Sequence, residues 1–335
     1  MYFLFFSVLL FICFLLGFIN QNKIEHIEWM DRSFTTVIKG FSILTVVWAH
    51  TGAKLGMGGI QFIAGIGVAL FLICSGYGLE VSYHKNGLKH FWKKRFLKVC
   101  IPFWIVELMT TVIKQNFVFS DFVLNIVFFK SLWFLRYIVI CYIIFYIVSK
   151  IVNILKFKNN EEIYFLLFIF ALWFVIESLF FANPDMPFLE ARQMLSFPLG
   201  VIIAKYKDKI VNIIHKLSYT QNIFIVFGVG VIGIVFMVVT QLNVIKSQPY
   251  IISNALSLLT VLPLAIVILL IGILITRLFR NLFLYECGLV SYEIYLIHIY
   301  TLSVVSKSVL SLMFFIIITI CLAILLHLIM NITNR

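Results

Sequence analysis

Charge is scarce in this sequence. Only 12% of its 335 residues are Asp, Glu, Lys or Arg, where a soluble domain carries about 25%. Proline is rare, with six in the chain, and no Pro-, Gly- or Ser-rich polar stretch marks a linker, so a string of separate soluble domains is excluded. The six cysteines (Cys13, Cys74, Cys100, Cys141, Cys287 and Cys321) show no CxxC spacing and fall in or beside apolar segments. They read as buried hydrophobes, not as a disulfide framework or a zinc site. An HExxH helix, a GxSxG elbow and a P-loop are also missing, which removes the zincin, serine-hydrolase and P-loop nucleotide signatures. No resident metal is expected.

What is present is apolar surface. Hydrophobic residues make up 63% of the chain and the mean hydropathy is +1.09. No soluble fold could hide that much, so lipid must be the solvent, and the chain reads as one polytopic, all-α membrane bundle. A crossing needs about 20 apolar residues. Eleven spans are expected, near residues 2–19, 35–53, 60–83, 99–118, 131–149, 162–181, 193–206, 221–240, 255–276, 288–306 and 309–330. The segment 120–129 is too short to cross and is expected in the interface. The first span lacks a basic leader and a small-residue cleavage site, so it reads as a retained helix, not a signal peptide.

The net charge of +12 invites a nucleic-acid reading, but the basic residues lie in short runs between spans. Alternate connections hold eighteen and six of the 26 Lys and Arg. By the positive-inside rule the first set is cytoplasmic, which places the N-terminus outside and the C-terminus inside. Anionic lipid or an anionic cofactor, and not nucleic acid, are the partners such charge suits.

Ionisable groups inside the spans carry the functional signal. Lys39 and His50 lie eleven residues apart in the second span, about 16 Å along one helical face. Lys39 either snorkels to the headgroups or faces a ligand. His50 is either a hydrogen-bonded core histidine or a general base. The third span ends GVALFLICSGYGL, where Ser75 and the glycines allow close helix packing or leave room for a substrate chain. The following KKRFLK segment holds Lys94, Arg95 and Lys98; it reads as a lipid anchor or as a cytosolic clamp for polyphosphate. Arg136, inside the fifth span after Trp133, needs a partner, and Glu107 and Glu177 are the candidates. Ser291, Tyr295 and His298 fall on one face of the tenth span. Two classes of protein fit these features: an enzyme that passes a group from a cytosolic phosphate-bearing donor, and an exporter of a glycan or lipid with a proton-relay histidine.

The order of the motifs resembles the acyltransferase-3 family of integral membrane acyltransferases. DRSFTTVIKGFSILTVVWAH, GVALFLICSGYGL, KKRFLKVCIPFW, SLWFL and SYEIYLIH carry the similarity, over roughly residues 31–330. On that resemblance, residues 31–335 form the acyltransferase domain. Residues 1–30 add one helix and a cytoplasmic loop to a ten-helix core. The resemblance implies O-acyl transfer, usually acetyl, from acyl-CoA to an envelope glycan or lipid-linked saccharide in a bacterial plasma membrane, with glycan-assembly proteins as possible partners. No hydrolase domain follows, so the membrane part is expected to complete the transfer alone or with a partner. It also implies His50 as the essential base, with Lys39 beside it. Arg95, Lys98 and Lys94 would hold the CoA phosphates, and Ser75, Trp133, Arg136, Tyr295 and His298 would support the substrate. Lys39 and Lys98 stand where the family usually has arginine, which keeps charge but loses bidentate geometry. Acyl relay through Ser75 or His50 is open alongside direct transfer.

Overall fold

The computed structural model describes residues 1–19, 24, 26–114, 118–157, 160–180 and 189–333. Lys23, Lys158 and Arg335, which enter the loop-charge comparison, lie outside the described residues. Among the described residues the structure is helical without strands. Bilayer hydrocarbon forces this outcome, because only a helix satisfies its own backbone N–H and C=O groups segment by segment.

The helices are α1 (Tyr2–Leu16), α2 (Arg32–Lys54), α3 (Phe62–Asn86), α4 (Phe91–Arg95), α5 (Ile101–Lys114), α6 (Phe119–Phe128), α7 (Trp133–Leu155) and α8 (Glu161–Phe180). They continue with α9 (Ser196–Lys216), α10 (Tyr219–Val239), α11 (Asn243–Lys246), α12 (Tyr250–Leu274), α13 (Leu282–Leu289), α14 (Ser291–Thr301) and α15 (Val309–Thr333). A π-helical turn, Phe96–Cys100, joins α4 to α5.

The described part of each of the eleven apolar segments is largely helical. Among the described residues seven helical stretches are long and apolar enough by themselves to cross a membrane, and α13 with α14 makes an eighth only as a pair bent by 78°. The protein is therefore a multi-pass membrane protein, and the count of eleven crossings is not confirmed. The other segments depart for visible reasons. Helix α1 has 15 residues, short for a crossing. Helix α2 has the length but carries Arg32, Lys39, Ser42, Thr45 and Lys54; neighbouring helices surround it in place of lipid. Helix α9 leaves helical geometry at Tyr206, where its apolar half gives way to Lys205, Lys207, Asp208 and Lys209. The expected tenth span is bent at Val290, whose backbone (φ −110°, ψ 18°) is not helical. Helix α6, ten residues long, is too short to span, as its sequence implied.

Local sequence sets where the central helix starts. The Asp31 carboxylate accepts from the Phe34 N–H at 2.6 Å and from the Glu28 N–H at 2.8 Å, capping α2. Packing around α2 and α3 depends on missing side chains. A Cβ on Gly40 would overlap the Leu284 carbonyl, and one on Gly288 would overlap the Thr36 carbonyl. The same reciprocity joins Gly76 to Phe197 and Gly200 to Ile73. Backbones in contact are the usual way to associate helices where hydrophobic burial no longer discriminates protein from lipid.

Helix α1 is stitched onto this bundle. Phe6 is fully buried, Trp48 Nε1 donates to Ser7 Oγ at 2.8 Å, and Asn281 Nδ2 donates to the Phe14 carbonyl at 2.8 Å. Conversely, α10 and α15 turn Phe224, Phe227, Leu310 and Phe314 outward, which is the lipid-facing surface.

Candidate functional site

Helix α2 brings His50 against His298 of α14. The His50 Nδ1 and His298 Nε2 atoms are 3.0 Å apart, and the rings stack at 5.2 Å with 16° between planes. His298 is fully buried. Its Nδ1 lies 2.8 Å from the Tyr295 carbonyl and 3.1 Å from the Ile294 carbonyl. A carbonyl can only accept, so this nitrogen carries the proton, and in a neutral ring Nε2 is then the lone pair. His50 must donate to it through Nδ1–H. The network thereby leaves His50 Nε2 as an unprotonated acceptor, the atom a general base requires. His298 acts on His50 as a second group that fixes the tautomer, the arrangement that orients a base in hydrolytic triads.

Tyr295 extends the cluster. Its ring packs 5.8 Å from His298 and edge-on to Phe134 at 5.1 Å. Trp133, expected near the substrate, packs on Phe134 and Tyr137 at 6.1 and 6.5 Å, one layer behind that ring. Ser291 is buried and donates to the Gly288 carbonyl at 2.9 Å across the bend between α13 and α14.

The second centre lies toward the opposite end of α2. The Arg95 guanidinium covers the rings of Tyr142 and Phe91 at 5.5 and 5.6 Å, and its Nε is enclosed without a hydrogen-bond partner. Tyr142, on α7, shares a 2.9 Å hydrogen bond with Ser75. Lys98 is within electrostatic reach of Arg95, Lys39, Arg32 and Lys94. Five cations from α2, α4 and the π-turn thus converge, and among the described residues no carboxylate forms an ion pair with any of them. Such crowding favours a polyanion over a lone anion. Ser75 belongs to this centre and not to the histidine pair. Tyr292, which donates to the Val99 carbonyl at 2.6 Å, is within electrostatic reach of both Tyr142 and Tyr295 and bridges the two centres.

Arg136 sits apart from both. It is paired with Glu190, and not with either carboxylate the sequence offered. Glu177 is within electrostatic reach of that pair. Glu107 is engaged elsewhere: it is buried and accepts from Asn125 at 2.8 Å, Tyr300 at 3.0 Å and Ser131 at 3.3 Å. Two further histidines have carboxylate partners: His84 of α3 with Glu80 at 3.0 Å and His327 of α15 with Glu293 at 2.8 Å. Tyr142 and Glu190 had no sequence signal, since neither sits in a spaced motif. Among the described residues, no group of three or more His, Cys, Asp or Glu is arranged to hold a metal ion. Two small clefts are lined by other residues: one by Glu80, Tyr83, Ser149 and Glu162, the other by Arg192, Thr240, Gln241 and Thr260.

A membrane helix bundle with a tautomer-fixed histidine and a separate cluster of cations is compatible with group transfer. A family model described as an acyltransferase domain matches residues 27–331, nearly the whole chain, and the chain belongs to that acyltransferase-3 family. No curated protein and no solved structure matches it. The protein is a membrane acyltransferase.

Proposed function

We propose that the protein is an O-acyltransferase of the bacterial plasma membrane. It would move an acyl group, most simply acetyl, from cytosolic acyl-CoA to a hydroxyl of an envelope glycan or lipid-linked saccharide. The N-terminus lies outside and the C-terminus inside, on the asymmetry of the loop charges. The observation that carries the reading is the hydrogen-bond chain from the Tyr295 carbonyl through His298 to His50, which leaves His50 Nε2 free to take a proton.

Arg95, Lys98 and Lys94 hold the phosphates of the donor, and Lys39 adds charge at the same end. The acyl thioester reaches along the bundle toward His50. There Nε2 takes the proton of the acceptor hydroxyl as its oxygen attacks the thioester carbonyl. The tetrahedral intermediate collapses, the C–S bond breaks, and the departing thiolate recovers the proton from the imidazolium. The buried histidine pair excludes water from the base, which favours transfer over hydrolysis.

The experiment compares surface glycans by mass spectrometry in a deletion strain complemented with the parent gene or with His50→Ala. The parent restores an acyl mass and the variant, inserted at equal level, does not. Acylation by His50→Ala at the parent level would overturn the assignment.

A further inference from the structure

Arg192 takes no part in the mechanism above, and its sequence position marks it only as one of the few basic residues outside the cytoplasmic set. The structure gives it an unusual setting. It lies on the 3-10 turn Ala191–Gln193 that leads into α9, and it lines a small cleft, open at its mouth, together with Phe62, Thr240, Gln241, Ser257 and Thr260. Its Nε is enclosed and has no hydrogen-bond partner. Among the described residues no carboxylate pairs with it, whereas Arg136 has Glu190. Burial with nothing to offset it draws the guanidinium down to about 10, so the charge persists at neutral pH. A half-buried cation with an enclosed, unpartnered Nε and no counter-ion among the described residues is a functional-site hypothesis by default in a membrane bundle.

The surroundings are rigid and shaped around this side chain. A Cβ on Gly65 would stand 3.2 Å from the Arg192 Cζ, so the bare backbone of α3 makes the room. Gln193 Nε2 donates to the Gly65 carbonyl at 2.9 Å, and Ser196 Oγ donates to Gln193 Oε1 at 3.2 Å, which pins the turn. The hydroxyls on the other wall are committed as donors to their own helices: Thr240 to Met237 O at 3.0 Å, Ser257 to Asn254 O and Thr260 to Ser257 O, both at 2.6 Å. Their oxygens keep lone pairs for a ligand that donates. The cleft thus combines one fixed cation, the Gln241 amide and three acceptor oxygens. An anionic group that also carries hydroxyls satisfies all of them; a bare anion leaves the acceptors unused, and a neutral sugar leaves the cation unpaired.

The side of the membrane follows from connectivity. Residues 55–61 join the His50 end of α2 to Phe62, which lines the cleft, so the cleft opens at the end of the bundle where the base lies and away from the Arg95 cluster.

We infer that the Arg192 cleft recognises an acidic sugar unit of the acceptor, with a carboxylate or phosphate on the guanidinium and the ring hydroxyls on Thr240, Ser257 and Thr260. The inference rests on the acyl-transfer reading given under Proposed function. Calorimetry on the full-length protein in phosphatidylcholine nanodiscs, a lipid without net charge, separates the two. Titrations use galacturonic acid, galactose 1-phosphate and galactose as probes, and acetyl-CoA in parallel. One or both acids should bind about tenfold or more tightly than galactose, the scale of one charge-assisted hydrogen-bonded pair. Which acid binds tells carboxylate from phosphate. Arg192→Gln should abolish the preference and leave acetyl-CoA binding unchanged, and Arg192→Lys should restore part of it. Gly65→Val, which fills the space beside the guanidinium, provides a second route should Arg192→Gln fail to insert. Acids that bind no better than galactose, or a preference that survives both Arg192→Gln and Gly65→Val, would overturn the inference. Acid preference without acetyl-CoA binding would instead strike the acyl-transfer reading and leave the cleft in place.

Discussion

Replacing His298 by alanine tests the central geometry, because it removes the one group among the described residues that hydrogen-bonds His50 and sets its tautomer. The parent ring accepts from His50 Nδ1–H at 3.0 Å in a fully buried position. Without it, that N–H faces a space no protein group fills, and the His50 proton can shift to Nε2, where it blocks the base. Losing a buried hydrogen bond costs about 1–3 kcal/mol. If that energy is expressed only as the reactive tautomer forms, the rate falls about 5- to 150-fold, at about 1.4 kcal/mol per decade. The assay is CoA thiol release by purified protein in nanodiscs, with acetyl-CoA varied, beside a thermal unfolding scan. The drop should appear in kcat with KM for acetyl-CoA nearly unchanged, because the proposed site for the donor phosphates is at the far end of α2. His298→Gln, whose amide oxygen can still accept, should recover part of the rate, which a purely packing role would not predict. Parent-level kcat in His298→Ala would refute the tautomer argument, as would a loss confined to KM.

Two further outcomes follow from the basic cluster and from the backbone contacts. Arg95→Ala should weaken acetyl-CoA binding by about tenfold or more, since a guanidinium with an unpartnered Nε is being removed from a phosphate site; unchanged affinity in a calorimetric titration would return the KKRFLK segment to the role of lipid anchor. Gly76→Val should destabilise the bundle by about 1–3 kcal/mol or abolish insertion, because a side chain there meets the Phe197 carbonyl and must force α3 from α9; an unfolding midpoint equal to that of the parent would contradict the close approach.

Much of the architecture was legible in the sequence, and the reason is local. A segment in hydrocarbon must close its own hydrogen bonds, so runs of apolar residues translate directly into helices, and the described part of each of the eleven segments is largely helical. Periodicity placed Lys39 and His50 on one helix, and motif order pointed to the family. The count of crossings is not confirmed where lipid is not the neighbour. Whether α2 meets hydrocarbon or other helices depends on contacts with α3 and α13 that lie outside its own composition, and the bend at Val290 is invisible to a hydropathy window.

The chain by itself therefore determined its solvent, its helical segments and the residue types available for chemistry, because each depends on neighbours along the sequence. Tertiary structure alone decided which of them meet. His50 and His298 are 248 residues apart in sequence and 3.0 Å apart in space. Tyr142 reaches Ser75, Glu190 reaches Arg136, and Arg192 enters a cleft walled by α10 and α12. Pairings of this kind are fixed by how glycine-lined backbones dock, a property of the packed bundle that no stretch of sequence carries on its own.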